Sequence, residues 1–337
     1  MERCLLGRHR LHRVDHSGHL ETKSRPRRKN CVTETTLPTV SAIVVTFRSG
    51  PALKECLYAL LADGDVSEII VVNNGTTDAD LDWLRNFKTP DRCRYELVSG
   101  HGNIGFAAGV NLGARHAMGE RLLIINPDAV LRIGSVRKLE EALSASTSHP
   151  CLVGGKLIYP SGDEQRGARR ELLTPWRAFV TFTGLYTLES MYPNFRNLHR
   201  EHDEEPESPV PMPVISGALC YISTTDYTAI SGFDEGYFLH VEDIDICRRV
   251  AEAGGKVIYT PLASAMHYGS TSKVSVSFVE WNKAKGLARY FRINSKGLIG
   301  RTFARASLLF FAPLLIGRSL AIRGVQHTRQ AIRELGD

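Results

Sequence analysis

The sequence predicts an α/β protein with a mostly parallel central sheet flanked by helices. Two observations carry this. Short runs such as SAIVVTF (Ser41–Phe47) and RLLIIN (Arg121–Asn126) are apolar along their length rather than at alternate positions, as strands buried on both faces are. These runs alternate with stretches of helical period, separated by Gly, Pro, Asn and Asp, the rhythm of βαβ units.

The elements follow in order. After Ser41–Phe47, Gly50-Pro51 turns the chain into an amphipathic helix that runs to about Leu61, since proline suits the first helical turn. EIIVV (Glu68–Val72) is the second strand, and its polar loop Asn73–Asp78 carries helix-capping residues ahead of a helical DLDWLRNF. RYELVS (Arg94–Ser99) is strand-like, a Gly-rich loop from Gly100 leads into a helix through His116, and Arg121–Asn126 is the fourth buried strand. Beyond Asp128 come a helix near Ser135–Ala145, strand-like CLVGGKLIY and a turn at Pro160-Ser161-Gly162. Residues 172–213 mix aromatics with the acidic run EHDEEPESPVPMP, which reads as a surface loop or insertion. GALCYIS (Gly217–Ser223) is a strand, TTDYTAI a short capped helix, and KVIYTP (Lys256–Pro261) a strand ending near His267.

At 337 residues, 43% hydrophobic and 23% charged, the chain can bury a core as one large or two closely fused domains. The net charge of +6 is uneven: residues 1–30 carry +6 and residues 285–337 carry +8, which leaves the body between them at −8. No nucleic-acid-binding motif accompanies these basic flanks, and they suit an anionic membrane surface. Seven scattered cysteines without a CxxC pair, and an N-terminus without an apolar leader segment, indicate a reducing, cytoplasmic setting. Residues 1–37 read as a flexible basic tail. In Arg305–Gly324 the uncharged run Ala306–Gly317 is shorter than the ~20 residues of a membrane span. It reads as an interfacial helix; the alternative is a helix packed on the domain or in a dimer interface.

Chemistry-bearing residues concentrate at predicted strand ends, where open α/β sheets bind ligands. Thr46 ends the first strand and Asn73-Asn74-Gly75 the second. Amides and hydroxyls there can read a base edge, although each taken singly is an ordinary turn residue. Gly100, Gly102 and Gly105 match a dinucleotide fingerprint, but in the third βα unit rather than the first. Asn126-Pro127-Asp128 makes a sharp turn after a very apolar strand, and His267 follows the last one. Within GFDEGYFLHVEDIDICRRVAEAGG (Gly232–Gly255), Glu242 and Asp243 stand at a helix start. The helix dipole alone favours carboxylates there. Asp245 and Arg248 read as a structural pair or cap.

Together these motifs resemble glycosyltransferase family 2, over about Val40 to Tyr290 and most closely its rhamnosyltransferase-like bacterial branch. The aromatic lead-in to Glu242-Asp243 with Asp245-x-Cys247-x-Arg249 resembles the family's catalytic-base segment. Asn73–Asp78 resembles its base- and ribose-binding loop, with Asn73 where aspartate is usual and Arg48 where asparagine is common. GNIGFAAGVNLG (Gly102–Gly113) resembles its donor loop, and Asn126-Pro127-Asp128 its aspartate-x-aspartate turn.

The resemblance implies a GT-A (nucleotide-diphospho-sugar transferase) fold, with donor-binding residues 38–128, acceptor-binding and catalytic residues 129–280, and a basic helical tail, 281–337, on the inner face of the cytoplasmic membrane. It implies inverting transfer of a sugar, rhamnose from dTDP-rhamnose being one candidate, to a lipid-linked or polysaccharide acceptor. Asp243 would be the general base, with Glu242 orienting the acceptor or raising the Asp243 pKa by like charge. Thr46, Asn73, Asn74, Gly75, Asn103, Gly105, Asn111, Asn126 and Asp128 would hold the donor. Asp128 and His267 would bind a divalent cation, magnesium or manganese. The readings from other classes are a nicotinamide-dependent oxidoreductase built on Gly100, Gly102 and Gly105, and a non-catalytic module that kept the fold.

Overall fold

The structure, a computed structural model, describes residues 8–14, 20–26, 38–269, 274–295, 302, 305–317 and 319. The chain divides into two compact units, residues 1–36 and 37–337. In the first, β1 (Arg8–Val14) pairs antiparallel with β2 (Leu20–Pro26), where the sequence reading expects a flexible tail.

The second unit is built on β3 (Val40–Thr46), β4 (Glu68–Asn73), β5 (Arg94–Val98) and β6 (Arg121–Ile125), all parallel in the spatial order β5-β4-β3-β6. They are linked by α1 (Pro51–Asp63), α2 (Asp78–Asn86) and α3 (Phe106–His116). Along β3, Ile43 and Val45 enter the core on one face of the sheet, and Ala42 and Val44 enter the core on the other. That double burial is why the run reads as continuously apolar. Gly109 and Gly113 let α3 settle on β3: a Cβ on either would lie 2.7 or 2.6 Å from Val45 or Ile43. The strand order reverses between β3 and β6, so their carboxyl ends open a crevice.

The second half departs from the parallel expectation. After β6, a turn leads to β7 (Ala129–Leu131), α4 (Ser135–Ser144) and β8 (Cys151–Ile158). A long insertion follows, with β9 (Arg169–Arg170), α5 (Pro175–Thr183), β10 (Val210–Pro211) and β11 (Val214–Ile215), the last paired with β9. β12 (Leu219–Ser223) then enters antiparallel between β6 and β8. α6 (Thr224–Ala229) and α7 (Glu242–Glu252) precede β13 (Lys256–His267), which runs parallel to β8 and antiparallel to β7 and β10. The nine-stranded sheet is therefore mixed. A parallel neighbour requires a crossover, and the insertion returns β12 by a different route.

α8 (Val276–Asn294) follows, and residues 305–317 are helical. Of the two readings of that apolar segment, packing on the domain describes one face: Phe311, Ala312 and Leu315 are buried in the cluster that holds Leu287 and Phe291 of α8. Its other face leaves Leu309 80% exposed. Among the described residues no helix is long and apolar enough to cross a membrane.

Candidate active site

A cavity of about 740 Å³ opens at the carboxyl ends of the parallel strands. Asn74, Asn103, Gly105, Asn126, Asp128, Glu242, Asp243 and His267 all line it. Four other expected residues stand outside the lining. Thr46 is wholly buried at the end of β3 and donates to Ser49 Oγ at 3.0 Å. Asn73 Oδ1 accepts from the Gly75 N–H at 3.0 Å, a local turn. Gly75 lies at φ 132°, and a Cβ there would come within 3.2 Å of the Phe47 ring. Asn111 lies on α3: its Oδ1 accepts from Tyr227 Oη and the Phe233 N–H, and its Nδ2 donates to the Phe233 carbonyl. It clamps the segment leading to α7 and does not face the cavity.

The glycine loop is positioned by Asn74, whose Nδ2 donates to the Gly105 carbonyl at 2.8 Å and whose Oδ1 meets His101 Nε2 at 3.1 Å. Gly105, at φ 86°, caps α3, and a Cβ there would lie 2.6 Å from the Phe238 carbonyl. The glycine thus serves a close approach to the segment before α7. The loop follows β5 at the sheet edge, away from the first βα unit, so the oxidoreductase reading has no support here.

Asp128 is held by the turn after β6, where the Ala129 N–H donates to the Asn126 carbonyl and the Tyr268 N–H to the Asp128 carbonyl. His267 ends β13. Its Nδ1 meets Gln165 Oε1 at 2.6 Å, and its Nε2 lies 3.0 Å from Asp128 Oδ1 and 3.2 Å from Asn126 Nδ2. With Nδ1 donating to the Gln165 oxygen, Nε2 keeps a lone pair directed at a carboxylate oxygen. The contact is a hydrogen bond when Nε2 carries the proton; in the other tautomer, the imidazole nitrogen and the carboxylate are the ligand types a divalent cation takes. Gln165 is the outer partner that fixes the ring. Among the described residues no group of three or more His, Cys, Asp and Glu gathers as a metal cluster. Two protein ligands do suit a hard cation that also takes phosphate and water.

The acid pair is arranged differently from the sequence expectation. Val241 and His240 precede α7 at φ 75° and 67°, unusual for a β-branched residue, and the strained turn aims both carboxylates at the cavity. Arg170 Nη2 donates to Asp243 Oδ2 at 2.5 Å and to the Ile215 carbonyl at 3.0 Å. The Gly217 N–H also reaches Oδ2, at 3.2 Å, and the Ile244 N–H reaches Oδ1 at 2.8 Å. Burial raises the Asp243 pKa, but the Arg170 charge and hydrogen bond and the Gly217 N–H outweigh it and hold the carboxyl below its usual range. Glu242 is 6% exposed, its Oε2 has no hydrogen-bond partner among the described residues, and burial followed by the Asp243 charge pushes it up to about 8. The expectation that Glu242 raises Asp243 is therefore reversed. Arg170 makes Asp243 the ionised member and leaves the proton on Glu242.

Asp245 is structural, as expected: Arg249 Nε donates to it at 2.7 Å and Arg248 Nη2 at 3.1 Å, beneath Tyr237. Arg170 and Gln165 were not legible as site residues. Each lies in the insertion, brought to the cavity by β9–β11 pairing and by the turn after β8.

The pair makes stability depend on pH. Glu242 holds its proton in the folded chain up to about 8, against an ordinary 4.5. Between those values the unfolded chain has released a proton that the folded chain keeps, so stability falls as pH rises through this window. Glu242→Gln is expected to flatten that fall. Thermal melts between pH 5 and 9 check it; parallel curves for the two proteins would place the buried proton elsewhere.

Comparison with known proteins agrees with this fold. Residues 41–207 match the family Glycosyl transferase family 2. The chain is 26% identical over 258 residues to the N-acetylglucosaminyl-diphospho-decaprenol L-rhamnosyltransferase of Mycobacterium tuberculosis, covering 68% of this chain and 76% of that one. Its fold is similar to that of the mannosyltransferase PcManGT of Pyrobaculum calidifontis, solved with GDP-Man and Mn2+ (TM-score 0.52, 18% identity, 87% of this chain and 76% of that one). It is also similar to that of GalNAc-T7, solved with UDP, GalNAc and Mn2+ (TM-score 0.53, 13% identity, 81% of this chain and 55% of that one). The match over residues 41–207, on a GT-A sheet, makes that stretch a glycosyl transferase family 2 domain and the protein an inverting glycosyltransferase.

Proposed function

We propose that the chain transfers a sugar, rhamnose being the favoured candidate, from a nucleotide-diphosphate donor to a lipid-linked acceptor, with Asp243 as the general base. The observation that supports this is one cavity lined both by Asp128 and His267, which are in contact, and by Asp243, whose carboxylate accepts from Arg170. The strand ends and the Asn103–Gly105 loop would bind the donor nucleotide and ribose. Asp128 and His267, with Asn126 beside them, would hold magnesium or manganese, which as a Lewis acid neutralises charge on the departing diphosphate. Asp243 Oδ1 would accept the proton of the acceptor hydroxyl as its oxygen attacks the anomeric carbon opposite the leaving group. Glu242, protonated at neutral pH, would donate a hydrogen bond that orients the acceptor.

The rhamnose and the lipid carrier rest on the name of the mycobacterial relative. The acidic-bodied enzyme with basic flanks would work at the inner face of the cytoplasmic membrane. A panel of nucleotide-sugars scored by nucleoside diphosphate release, with and without manganese, tests the donor; no release from any donor sinks the reading.

Asp128→Asn and His267→Ala are each expected to weaken manganese-dependent donor binding about tenfold or more, as loss of one ligand of few does. Calorimetric titration of a nucleoside diphosphate with and without manganese measures this. Unchanged metal dependence in both variants would remove the pair as the cation site.

A further inference from the structure

Outside the cavity, two segments far apart in sequence build one exposed aromatic ridge. Trp176 of α5 is 49% exposed and stacks on Phe179 at 5.8 Å. Phe179 meets Phe310 at 6.0 Å, Phe310 meets Phe311 at 5.1 Å, and Phe311 meets Phe182 at 5.7 Å. Phe182 lines the catalytic cavity. On its outer side Trp176 meets Phe195 at 5.3 Å, and Phe195 meets the exposed Tyr192 at 5.9 Å. Unbroken ring contacts thus run from the cavity wall to the surface, where Leu309 and Phe310 stand exposed beside them.

An exposed apolar patch of this kind marks a binding face. Basic side chains stand beside it: Lys283 Nζ lies 5.6 Å from the centre of the Phe182 ring, and the exposed Arg305 opens the helical stretch 305–317, one turn before Leu309. Aromatic rings with basic side chains around them belong at the headgroup level of a membrane. A second copy is a poorer occupant, because a two-fold contact would set this basic surface against itself. We infer that this aromatic ridge docks the enzyme on an anionic lipid bilayer and turns the apolar end of the cavity toward it. Only the purpose of the docking rests on the reading of the acceptor as lipid-linked; binding to lipid is measured without any transfer.

The test is flotation of the full chain with phosphatidylcholine vesicles, with and without phosphatidylglycerol. The chain is expected to float with the anionic vesicles only, and Leu309→Ser and Trp176→Ala to weaken that binding about tenfold each. Leu309 is exposed enough that its replacement leaves the fold intact. A Trp83→Phe/Trp281→Phe variant, whose only tryptophan is Trp176, is expected to be quenched by lipids with brominated acyl chains. Anionic binding that ignores both ridge substitutions, absence of quenching, or a Trp176-dependent dimer by light scattering without lipid would each overturn the proposal. A chain that fails to float yet transfers sugar to a water-soluble acceptor would overturn it while the transferase reading stands.

Discussion

Asp243→Asn is expected to slow transfer by about 10²–10⁴-fold, the usual worth of a positioned general base, while nucleotide-sugar binding stays nearly intact. Asparagine keeps the size of the side chain and its oxygen contacts with Arg170 and the Gly217 N–H, but cannot take a proton from a hydroxyl. Glu242→Gln is expected to do much less, within about tenfold, because an amide can replace one neutral hydrogen bond donated by a protonated carboxyl. The contrast follows from the charge arrangement: the residue held ionised by Arg170 can accept a proton at neutral pH, and the one pushed up to about 8 already carries one. Steady-state release of nucleoside diphosphate, with donor affinity measured separately, reads both variants. A slow Glu242→Gln beside an active Asp243→Asn would transfer the base role to Glu242.

The parallel half of the sheet was legible because burial on both faces leaves an unmistakable mark: β3 and β4 are buried at every position. The turn at Asp128 was legible for the same reason, since Asn-Pro-Asp after four apolar residues, Leu122–Ile125, marks a strand end. Pairing direction was not, because β12 takes its neighbours β6 and β8 from far earlier in the chain (Leu219 pairs with Ile125 and Cys220 with Gly154), and nothing local distinguishes a parallel from an antiparallel partner. Asn111 shows the opposite failure: it fits the motif, but its amide is fully engaged by Phe233 and Tyr227, 122 and 116 residues away. The balance within the acid pair was misread because it depends on Arg170. That arginine lies 73 residues before Asp243, on a two-residue strand with no motif of its own.

Arg170→Met should therefore strike stability and chemistry together. Arg170 and Asp243 are nearly buried, with side chains 12% and 14% exposed, and removing one partner of such a pair costs about 3–5 kcal/mol. The variant would also leave two adjacent buried carboxylates without the Arg170 charge that decides between them, so they would share a proton as coupled acids do. The Asp243 pKa would then rise, and the acid limb of the pH–rate profile would move to higher pH, with turnover falling more than donor affinity. Arg170→Lys restores a positive charge but not the planar guanidinium whose Nη2 donates to both Asp243 and the Ile215 carbonyl. It is expected to return the acid limb toward its original position while recovering only part of the turnover. Melting curves alone would not separate this role from simple support, since both variants lose a buried contact. The profile does: an acid limb that stays in place in both variants would reduce Arg170 to structure, whereas a shift in methionine that lysine reverses identifies it as the residue that keeps the base ionised.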